Sequence, residues 1–337
     1  MRRALSLAAL GKGKVSPNPL VGCVIVKNDE IIGEGYHKQY GGPHAEVNAV
    51  RQAGEENVRD AIVYVSLEPC SHYGKTPPCA DMLARLQPKK VVVCNLDPNP
   101  LVAGRGIKKL QEAGIKTEIG FLEEEGKYLN RAFFTFMNKK RPYIFLKWAQ
   151  TADGYIARDN YDSKWISSVE SRKKVHHWRA EHDAIMVGTN TALHDNPSLN
   201  VRYDIAGNNP LRIVIDKNLR LPQSLHLFDG KQTTLCYNLL EHRQEEKLEY
   251  IKLKEEALFP QILDNLYKRK VLSLIVEGGA YLLNELIKTG MWDEAQVFVS
   301  EKKFQTGIAA PTMTQNMHAK EKINSDVLLT YLNHEVI

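Results

Sequence analysis

The first hundred residues contain a histidine, a glutamate and two cysteines in an order that is typical of a catalytic metal site. His44 and Glu46 stand two apart in GGPHAEVNAV, Cys70 follows a predicted strand, and Cys79 opens a predicted helix. Zinc favours imidazole and thiolate ligands, and three protein ligands leave its fourth tetrahedral position open for catalysis. The thiolate of Cys79 would also be favoured by the N–H groups at the helix start. The pattern therefore predicts a catalytic zinc held by His44, Cys70 and Cys79.

Glu46 is predicted to move protons and not to bind the metal. Residues two apart on a regular helix point about 200° away from each other, but at the first turn both side chains can reach the space ahead of the helix. Zinc lowers the pKa of bound water to roughly 7, and a nearby carboxylate can carry the proton to a leaving amine. The order H-x-E, then P-C and a second cysteine, is typical of zinc nucleobase deaminases. Here eight residues lie between Cys70 and Cys79, where that signature has two.

Each of these elements has a plainer interpretation when it is taken alone. A lone His-x-Glu is usually a capped helix start, and a lone buried cysteine is usually a packing residue. Only their combination, in order and at strand-to-helix junctions, favours zinc. Cys23, Cys94 and Cys236 stand inside apolar strands and are predicted to be core residues.

These side chains must be positioned by the strands and helices that the surrounding sequence predicts. VGCVIV and EIIGEGY flank a turn at 27–29 and predict a hairpin, and a helix over 44–53 ends at Gly54. AIVYVSL, KKVVVCNL and KTEIGF predict strands that alternate with helices, which is typical of an α/β layered arrangement. A helical stretch is expected over 123–138, and NKKRP then marks a boundary. The first domain is predicted to span 1–140.

The second half, residues 141–337, again alternates strand and helix patterns and is predicted to form a second domain. YIFLKWAQ, HDAIMVG, LRIVID, TTLCYN and VLSLIVEGG predict strands, with helices at 168–181 and 280–289. IVEGGAYLL reads as a strand, two glycines and a helix start, which lets a phosphate approach backbone N–H groups, although a plain tight connection has the same pattern. RKKVHHWR favours a solvated helix face over a nucleic-acid patch.

Length and composition exclude several classes of protein. The 337 residues exceed the usual single-domain size, and 43% hydrophobic with 25% charged residues is typical of a soluble globular chain. The excess of Lys+Arg over Asp+Glu, 45 − 40 = +5, is too small to indicate nucleic acid. No apolar run approaches the roughly 20 residues that span a bilayer. MRRALSLAAL could begin a signal peptide, but its helical spacing and Gly11 favour a helix. Five cysteines, an odd number, favour the reducing cytoplasm.

Longer segments resemble one family over nearly the whole chain. SPNPLVGCVIV, GPHAEVNAV, YVSLEPCSHYGKTPPCADML and DPNPLVAGRGIKKLQEAGI resemble the deaminase half of the bifunctional riboflavin-biosynthesis deaminase/reductases, in which a long spacing between the cysteines is a family feature. KWAQTADGYIA, SKWISS, TALHDNPSLNVR, LRIVID and IVEGGAYLLNELI resemble the reductase half. The resemblance implies a cytidine-deaminase-like three-layer α/β domain followed by a dihydrofolate-reductase-like domain. The first would hydrolyse an amino group of a diaminopyrimidinone carrying a ribosylamino 5-phosphate, and the second would reduce the ribosyl group to ribityl with NADPH.

The same resemblance implies roles for individual residues. His44, Cys70 and Cys79 match the zinc ligands, and Glu46 matches the proton shuttle. Substrate positions are matched by Asn18, His37, Lys75, Lys147, Ser163, Arg179, Leu199, Arg202 and Glu277. Cofactor positions are matched by Gln150, Trp165, Thr191, Asp195 and Gly279. Lys147 and Asp195 are the candidates for orienting the reacting end of the sugar beside the nicotinamide.

The residues of the second half also allow plainer interpretations. Arg179 and Arg202 could clamp a phosphate through paired N–H donors, or they could be surface arginines. Asp195, in HDNP, could be only a turn former.

The expected cofactors are zinc and NADPH, and the expected partner is a small phosphorylated pyrimidine, with no nucleic acid, no membrane and a homo-oligomeric assembly. Two other functions stay open at this point. A deaminase of nucleosides or of a tRNA base could carry a second domain that only binds. A zinc-stabilised nucleic-acid-binding protein would normally need a fourth protein ligand.

Overall fold

The computed structural model describes residues 1–73, 77–99 and 102–333, and the chain divides into two compact units, Met1–Lys140 and Arg141–Ile337. The domain bounds that the sequence predicts are 1–140 and 141–337. Among the described residues, no helix is both long enough and apolar enough to cross a membrane.

The first unit is built on a five-stranded sheet in the order β2-β1-β3-β4-β5. β1 pairs antiparallel with β2 and β3, while β3, β4 and β5 run parallel. The strands are β1 Gly22–Lys27, β2 Glu30–Tyr36, β3 Ile62–Leu67, β4 Lys90–Asn95 and β5 Lys116–Ile119. The helices are α1 Arg2–Ala9, α2 Ala45–Ala53, α3 Cys79–Leu86, α4 Arg105–Glu112, α5 Glu123–Leu129 and α6 Arg131–Lys139, with a 3-10 turn at Glu55–Asn57. The predicted hairpin and the helical N-terminus are therefore present.

Helices cover both faces of this sheet. Val24 of β1 packs with Ala4 and Leu7 of α1. Its neighbours Cys23 and Ile25, which point to the other face, belong to a core that includes residues of α2, α3 and α4. α2 approaches β2 closely, because a Cβ atom at Gly35 would lie 2.3 Å from the carbonyl oxygen of Ala45. The predicted three-layer α/β class is confirmed.

The helical stretch expected over 123–138 is present, but the chain breaks it at Asn130. Its side-chain amide donates to the carbonyl of Leu20 at 2.9 Å and accepts from the N–H of Leu20 at 2.8 Å. Asparagine competes for backbone hydrogen bonds in this way and is a poor residue for a helix interior. Two short helices, α5 and α6, therefore replace one long helix.

The second unit is built on a ten-stranded sheet in the order β11-β12-β10-β9-β8-β13-β6-β14-β17-β16, beside a small pair of β15 and β7. The seven strands from β12 to β14 in this order are parallel. The strands are β6 Tyr143–Gln150, β7 Tyr155–Ala157, β8 Ala184–Gly188, β9 Leu211–Ile215, β10 Thr234–Asn238, β11 Arg243–Gln244, β12 Leu248–Lys252, β13 Ser273–Glu277, β14 Glu294–Val299, β15 Ile308–Ala309, β16 Met317–Ile323 and β17 Asp326–Leu332. The helices are α7 Val169–Glu181, α8 Thr189–Asp195, α9 Leu258–Lys268 and α10 Ala280–Lys288, with a 3-10 turn at His226–Phe228.

Helices again cover both faces of the central strands. Ile144 and Leu146 of β6 belong to a core shared with α9 and α10. Phe145, on the opposite face, packs against Trp178 and His182 at 5.1 and 4.8 Å between ring centroids. The segment RKKVHHWR lies in α7, which buries Val175, His176, Arg179 and Ala180 on one side and exposes Lys173 and His177 on the other, so a solvated face and a buried face coexist.

Candidate active sites

The three predicted metal ligands converge at two helix starts and one strand end. His44 is the residue before α2, Cys79 is the first residue of α3, and Cys70 follows β3. Their ligand atoms all lie within 4.8 Å of one another, with His44 Nδ1 at 3.5 Å from Cys70 Sγ and 3.4 Å from Cys79 Sγ. Among the described residues this is the one group of such side chains that could hold a metal ion. Two sulfurs and one imidazole nitrogen are the donors that zinc prefers.

The electrostatics of this cluster favour a thiolate. Hydrogen bonds from the Cys79 thiol, from His44 and from the Cys79 backbone N–H hold the pKa of Cys70 well below its usual value, at about 4. The hydrogen bond with Cys70 raises the pKa of His44 to about 9. A thiolate is the form in which cysteine binds metal, so the donor set fits a zinc ion.

Glu46 lies in the first turn of α2 and is only 3% exposed. Burial, followed by the charge of Cys70, raises the pKa of its carboxyl to about 7. A carboxyl group with such a pKa can both take up and release a proton near neutral pH, which is what a proton shuttle requires.

Glu68 is a site residue that the sequence reasoning missed. Its buried carboxylate accepts the backbone N–H groups of Gly106 and Gly104 at 2.9 Å each, and more distant ones from Ile107 and Asp97 at 3.3 Å. The carboxylate thereby ties the end of β3, two residues before Cys70, to the start of α4. The one signal in the sequence was a charged residue placed directly after an apolar strand, in SLEPC.

Two of the residues predicted at substrate positions adjoin the metal cluster. The ring of His37 is 3% exposed, its Nδ1 donates to the carbonyl of Pro43 at 3.1 Å, and its Nε2 accepts from the Asn18 amide at 3.0 Å. The ring lies edge-on to His44, with 5.7 Å between centroids. Asn18 and His37 are therefore brought to the cluster, whereas Lys75 lies outside the described residues.

The second unit has a cavity of about 1300 Å³ at the carboxyl ends of its parallel strands, where α/β sheets usually bind ligands. Ten of the predicted residues line it: Lys147, Ser163, Trp165, Arg179, Thr191, Asp195, Leu199, Arg202, Glu277 and Gly279. Gln150 is not among the lining residues, and its side-chain oxygen accepts from the indole N–H of Trp148 at 2.9 Å. The cavity therefore gathers every predicted residue of this unit except Gln150.

A buried ion network occupies one wall of the cavity. Arg179 donates to both oxygens of Glu277, at 2.7 and 2.9 Å, and Lys147 Nζ lies 3.6 Å from the same carboxylate. Burial alone would raise the pKa of Glu277, but the neighbouring Arg179 and Lys147 cations lower it to about 2. Burial lowers the pKa of Lys147. Glu277 is therefore an anion that offsets two cations.

Asp195 is the last residue of α8, and its Oδ1 accepts a hydrogen bond of 3.0 Å from the hydroxyl of Ser163. Burial raises the pKa of the Asp195 carboxyl. Next to this pair, the rings of Tyr161 and His194 are stacked at 4.0 Å. Two contacts thus join the segment before Trp165 to the end of α8.

The two predicted phosphate-binding arginines differ in their surroundings. Arg179 is engaged by Glu277 and also donates to the carbonyl of Asn200 at 3.1 Å. The guanidinium of Arg202 lines the same cavity, and no hydrogen bond or ion pair joins it to another residue within the described ranges. Of these two arginines, Arg202 is therefore the one whose guanidinium is available to an anionic ligand.

Comparisons with known proteins agree over both units. The model of the RibD C-terminal domain matches residues 142–331, and that of the cytidine and deoxycytidylate deaminase zinc-binding region matches residues 1–95. The riboflavin biosynthesis protein RibD of Aquifex aeolicus is 43% identical over 92% of this chain and 88% of its own, and that of Escherichia coli is 38% identical over 90% and 87%. A Thermotoga maritima diaminohydroxyphosphoribosylaminopyrimidine deaminase/5-amino-6-(5-phosphoribosylamino)uracil reductase superposes with a TM-score of 0.90 at 38% identity, covering 98% of this chain and 96% of its own. RibD of Acinetobacter baumannii gives 0.89 at 36% identity, covering 98% and 97%.

Proposed function

This chain belongs to the RibD family, a family of bifunctional deaminases and reductases of riboflavin biosynthesis, and from that premise we propose how its own residues divide the work. We assign deamination to Met1–Lys140 and reduction to Arg141–Ile337. The substrate of the first reaction is a diaminopyrimidinone that carries a ribosylamino 5-phosphate, and the deaminated product is the substrate of the second. A homo-oligomeric state and a cytoplasmic location stay predictions.

The observation that carries the deaminase proposal is the pairing of a zinc-type donor set with a buried, protonatable carboxyl group. His44, Cys70 and Cys79 would hold the zinc ion, which when bound supplies an activated water as nucleophile. In the reaction one ring carbon exchanges its C–N bond for a C–O bond, and ammonia leaves. Glu46 takes a proton from the attacking water and delivers it to the departing nitrogen, and its pKa of about 7 suits both steps. Asn18 and His37 orient the pyrimidine.

The reductase proposal rests on the lining of the cavity in the second unit. NADPH, when bound, would supply a hydride to the anomeric carbon of the ribosyl group. The bond from that carbon to the ring oxygen breaks, the oxygen takes a proton from water, and the open chain is ribityl. Thr191, and Gly279 at the start of α10, provide the polar wall for the cofactor phosphates, because backbone N–H groups at a helix start favour anions. Lys147 and Asp195 orient the reacting end of the sugar, and Arg202 binds the substrate phosphate.

A single assay tests both halves of the proposal. The phosphoribosylated diaminopyrimidinone is supplied with and without NADPH, and ammonia release and NADPH oxidation are followed on one preparation. We expect ammonia in both cases, and NADPH oxidation only after ammonia has formed. Ammonia release from a nucleoside or from tRNA, together with none from this substrate, would favour the alternative deaminase with a second unit that only binds.

A further inference from the structure

The backbone that carries Arg202 has an unusual conformation. Leu199, Tyr203 and Asp204 have φ values of 48°, 67° and 55°. Residues other than glycine adopt this left-handed region uncommonly, and they keep it only where the surroundings hold the chain in place. The position of Arg202 therefore depends on what holds residues 199–204.

Hydrogen bonds from outside hold three consecutive residues of this segment. The carbonyl of Asn200 accepts from the Arg179 guanidinium at 3.1 Å. The N–H of Val201 donates to the side-chain oxygen of Asn209 at 2.8 Å. The N–H of Arg202 itself donates to Nδ1 of His176 at 3.0 Å. Of these three contacts, the one from His176 acts on Arg202 itself, the residue proposed to bind the substrate phosphate.

His176 is built into the fold as a neutral acceptor. It lies on α7, is 4% exposed, lines the cavity, and packs edge-on against the ring of Tyr203 with 5.1 Å between centroids. Burial, followed by the charges of Arg179 and Arg202, lowers the pKa of His176 to about 4. Since a backbone N–H can only donate, Nδ1 carries the lone pair and the proton resides on Nε2. The ring therefore presents an acceptor to Arg202 at physiological pH.

We propose that His176 is a positioning residue of the reductase, which fixes the backbone of Arg202 so that its guanidinium meets the phosphate of the substrate. The inference rests on the proposed role of Arg202. It gives the buried side chain of His176 a part in the affinity for a phosphorylated ligand. His176 itself contributes through Arg202, and so it should affect substrate binding more than the chemical step.

The test compares His176→Phe, which keeps a ring but has no acceptor, with His176→Asn, whose side-chain oxygen can take the place of Nδ1. We expect His176→Phe to raise the KM for the deaminated phosphorylated substrate about tenfold with kcat within about twofold, the pattern of a weakened binding contact. His176→Asn should stay within about threefold of the wild type. The KM for NADPH, and the Kd of the substrate measured by calorimetry without NADPH, separate substrate affinity from general damage.

Arg202→Ala and the double variant His176→Phe/Arg202→Ala complete a cycle. If His176 acts through Arg202, the double variant should bind the substrate no more weakly than Arg202→Ala alone. A large loss in Arg202→Ala with an unchanged His176→Phe would overturn this inference and leave the role of Arg202 intact. Wild-type affinity in Arg202→Ala would overturn that role, and the inference with it. Should His176→Phe melt below the wild type, His176→Leu takes its place in the cycle, and additive losses there would equally overturn the inference.

Discussion

The guanidinium of Arg179 and the carboxylate of Glu277 form a two-point ion pair, with N–O distances of 2.7 and 2.9 Å, although 98 residues separate them in the chain. Lys147 lies beside the same carboxylate. Arg179 therefore already has an anionic partner within the protein, and its role as a phosphate clamp stays a prediction.

Replacing Glu277 by Gln should damage the reductase and spare the deaminase. The substitution leaves two buried cations without their anion, and breaking a buried ion pair from one side typically costs about 3–5 kcal/mol. We expect a lower Tm for the second unit and at least a roughly hundredfold loss of NADPH oxidation, with ammonia release near the wild-type rate. Glu285→Gln, the same change at another residue lining the cavity, is the matched control. A Tm and a rate of NADPH oxidation equal to those of the wild type in Glu277→Gln would show that the Glu277 carboxylate is not needed to offset Arg179 and Lys147.

Cys79→Ser should lose zinc and ammonia release together. A serine hydroxyl is a poor replacement for a thiolate ligand, so metal analysis should find the zinc largely gone. Cys94→Ser is the matched control, because Cys94 is buried in the same unit and its thiol donates to the carbonyl of Leu122, which a hydroxyl can also do. Full zinc occupancy and normal turnover in Cys79→Ser would remove Cys79 from the site.

The Glu46→Gln variant should keep its zinc but release ammonia much more slowly than the wild type. The side chain keeps its shape but can no longer take up and release a proton, and losing a general acid/base typically lowers the rate by roughly 10²–10⁴. Ammonia release and zinc content are measured on the same sample. A rate near that of the wild type, or the loss of zinc along with activity, would contradict the role of proton shuttle.

Asp195→Ala should abolish NADPH oxidation on the deaminated substrate while ammonia release continues, because the two units have separate cores. Asp195→Asn is the informative partner, since its amide oxygen can still accept from Ser163 at the 3.0 Å contact while the charge is gone. If Asp195→Asn oxidises NADPH while Asp195→Ala does not, the hydrogen bond to Ser163 is the larger role of Asp195. If both variants lose NADPH oxidation, the negative charge is required. Persistent NADPH oxidation in Asp195→Ala would overturn the assignment.

The stability of the second unit should depend on the protonation of His176. Its pKa is about 4 in the folded protein, below the ordinary 6.5, so between these values the unfolded chain binds more protons. Stability therefore rises with pH from about 4 to 6.5 and is flat above, as far as this group contributes. The Tm should fall less between pH 7 and pH 5 in His176→Phe than in the wild type, by about 2–4 °C for each kcal/mol of lost linkage. Tryptophan fluorescence follows this unit alone, because all four tryptophans, at 148, 165, 178 and 292, lie within it. An equal dependence of the Tm on pH in His176→Phe and in the wild type would contradict a neutral His176 in the folded protein.

What the sequence could predict depended on the kind of interaction. The convergence of His44, Cys70 and Cys79 was predictable because few residue types bind zinc and each stood at a strand-to-helix junction. The roles of Glu68 and His176 were not, because both depend on backbone N–H groups that only the folded chain brings to them. The break at Asn130 was not predicted for the same reason, because Leu20, the residue that its side chain binds, is 110 residues away in the chain.

The tie between Glu68 and the start of α4 has a consequence for how the enzyme acquires its metal. Four backbone N–H groups, and the close fit of Gly106 against the carbonyl of Pro69, where a Cβ would lie 2.1 Å away, hold the loop before Cys70 with contacts that involve no ion. A chelator should therefore remove the zinc, and added zinc should restore it, on a scaffold that is already folded and without a refolding step. Loading should then follow second-order kinetics in free zinc, and cells should be able to charge the protein long after it leaves the ribosome.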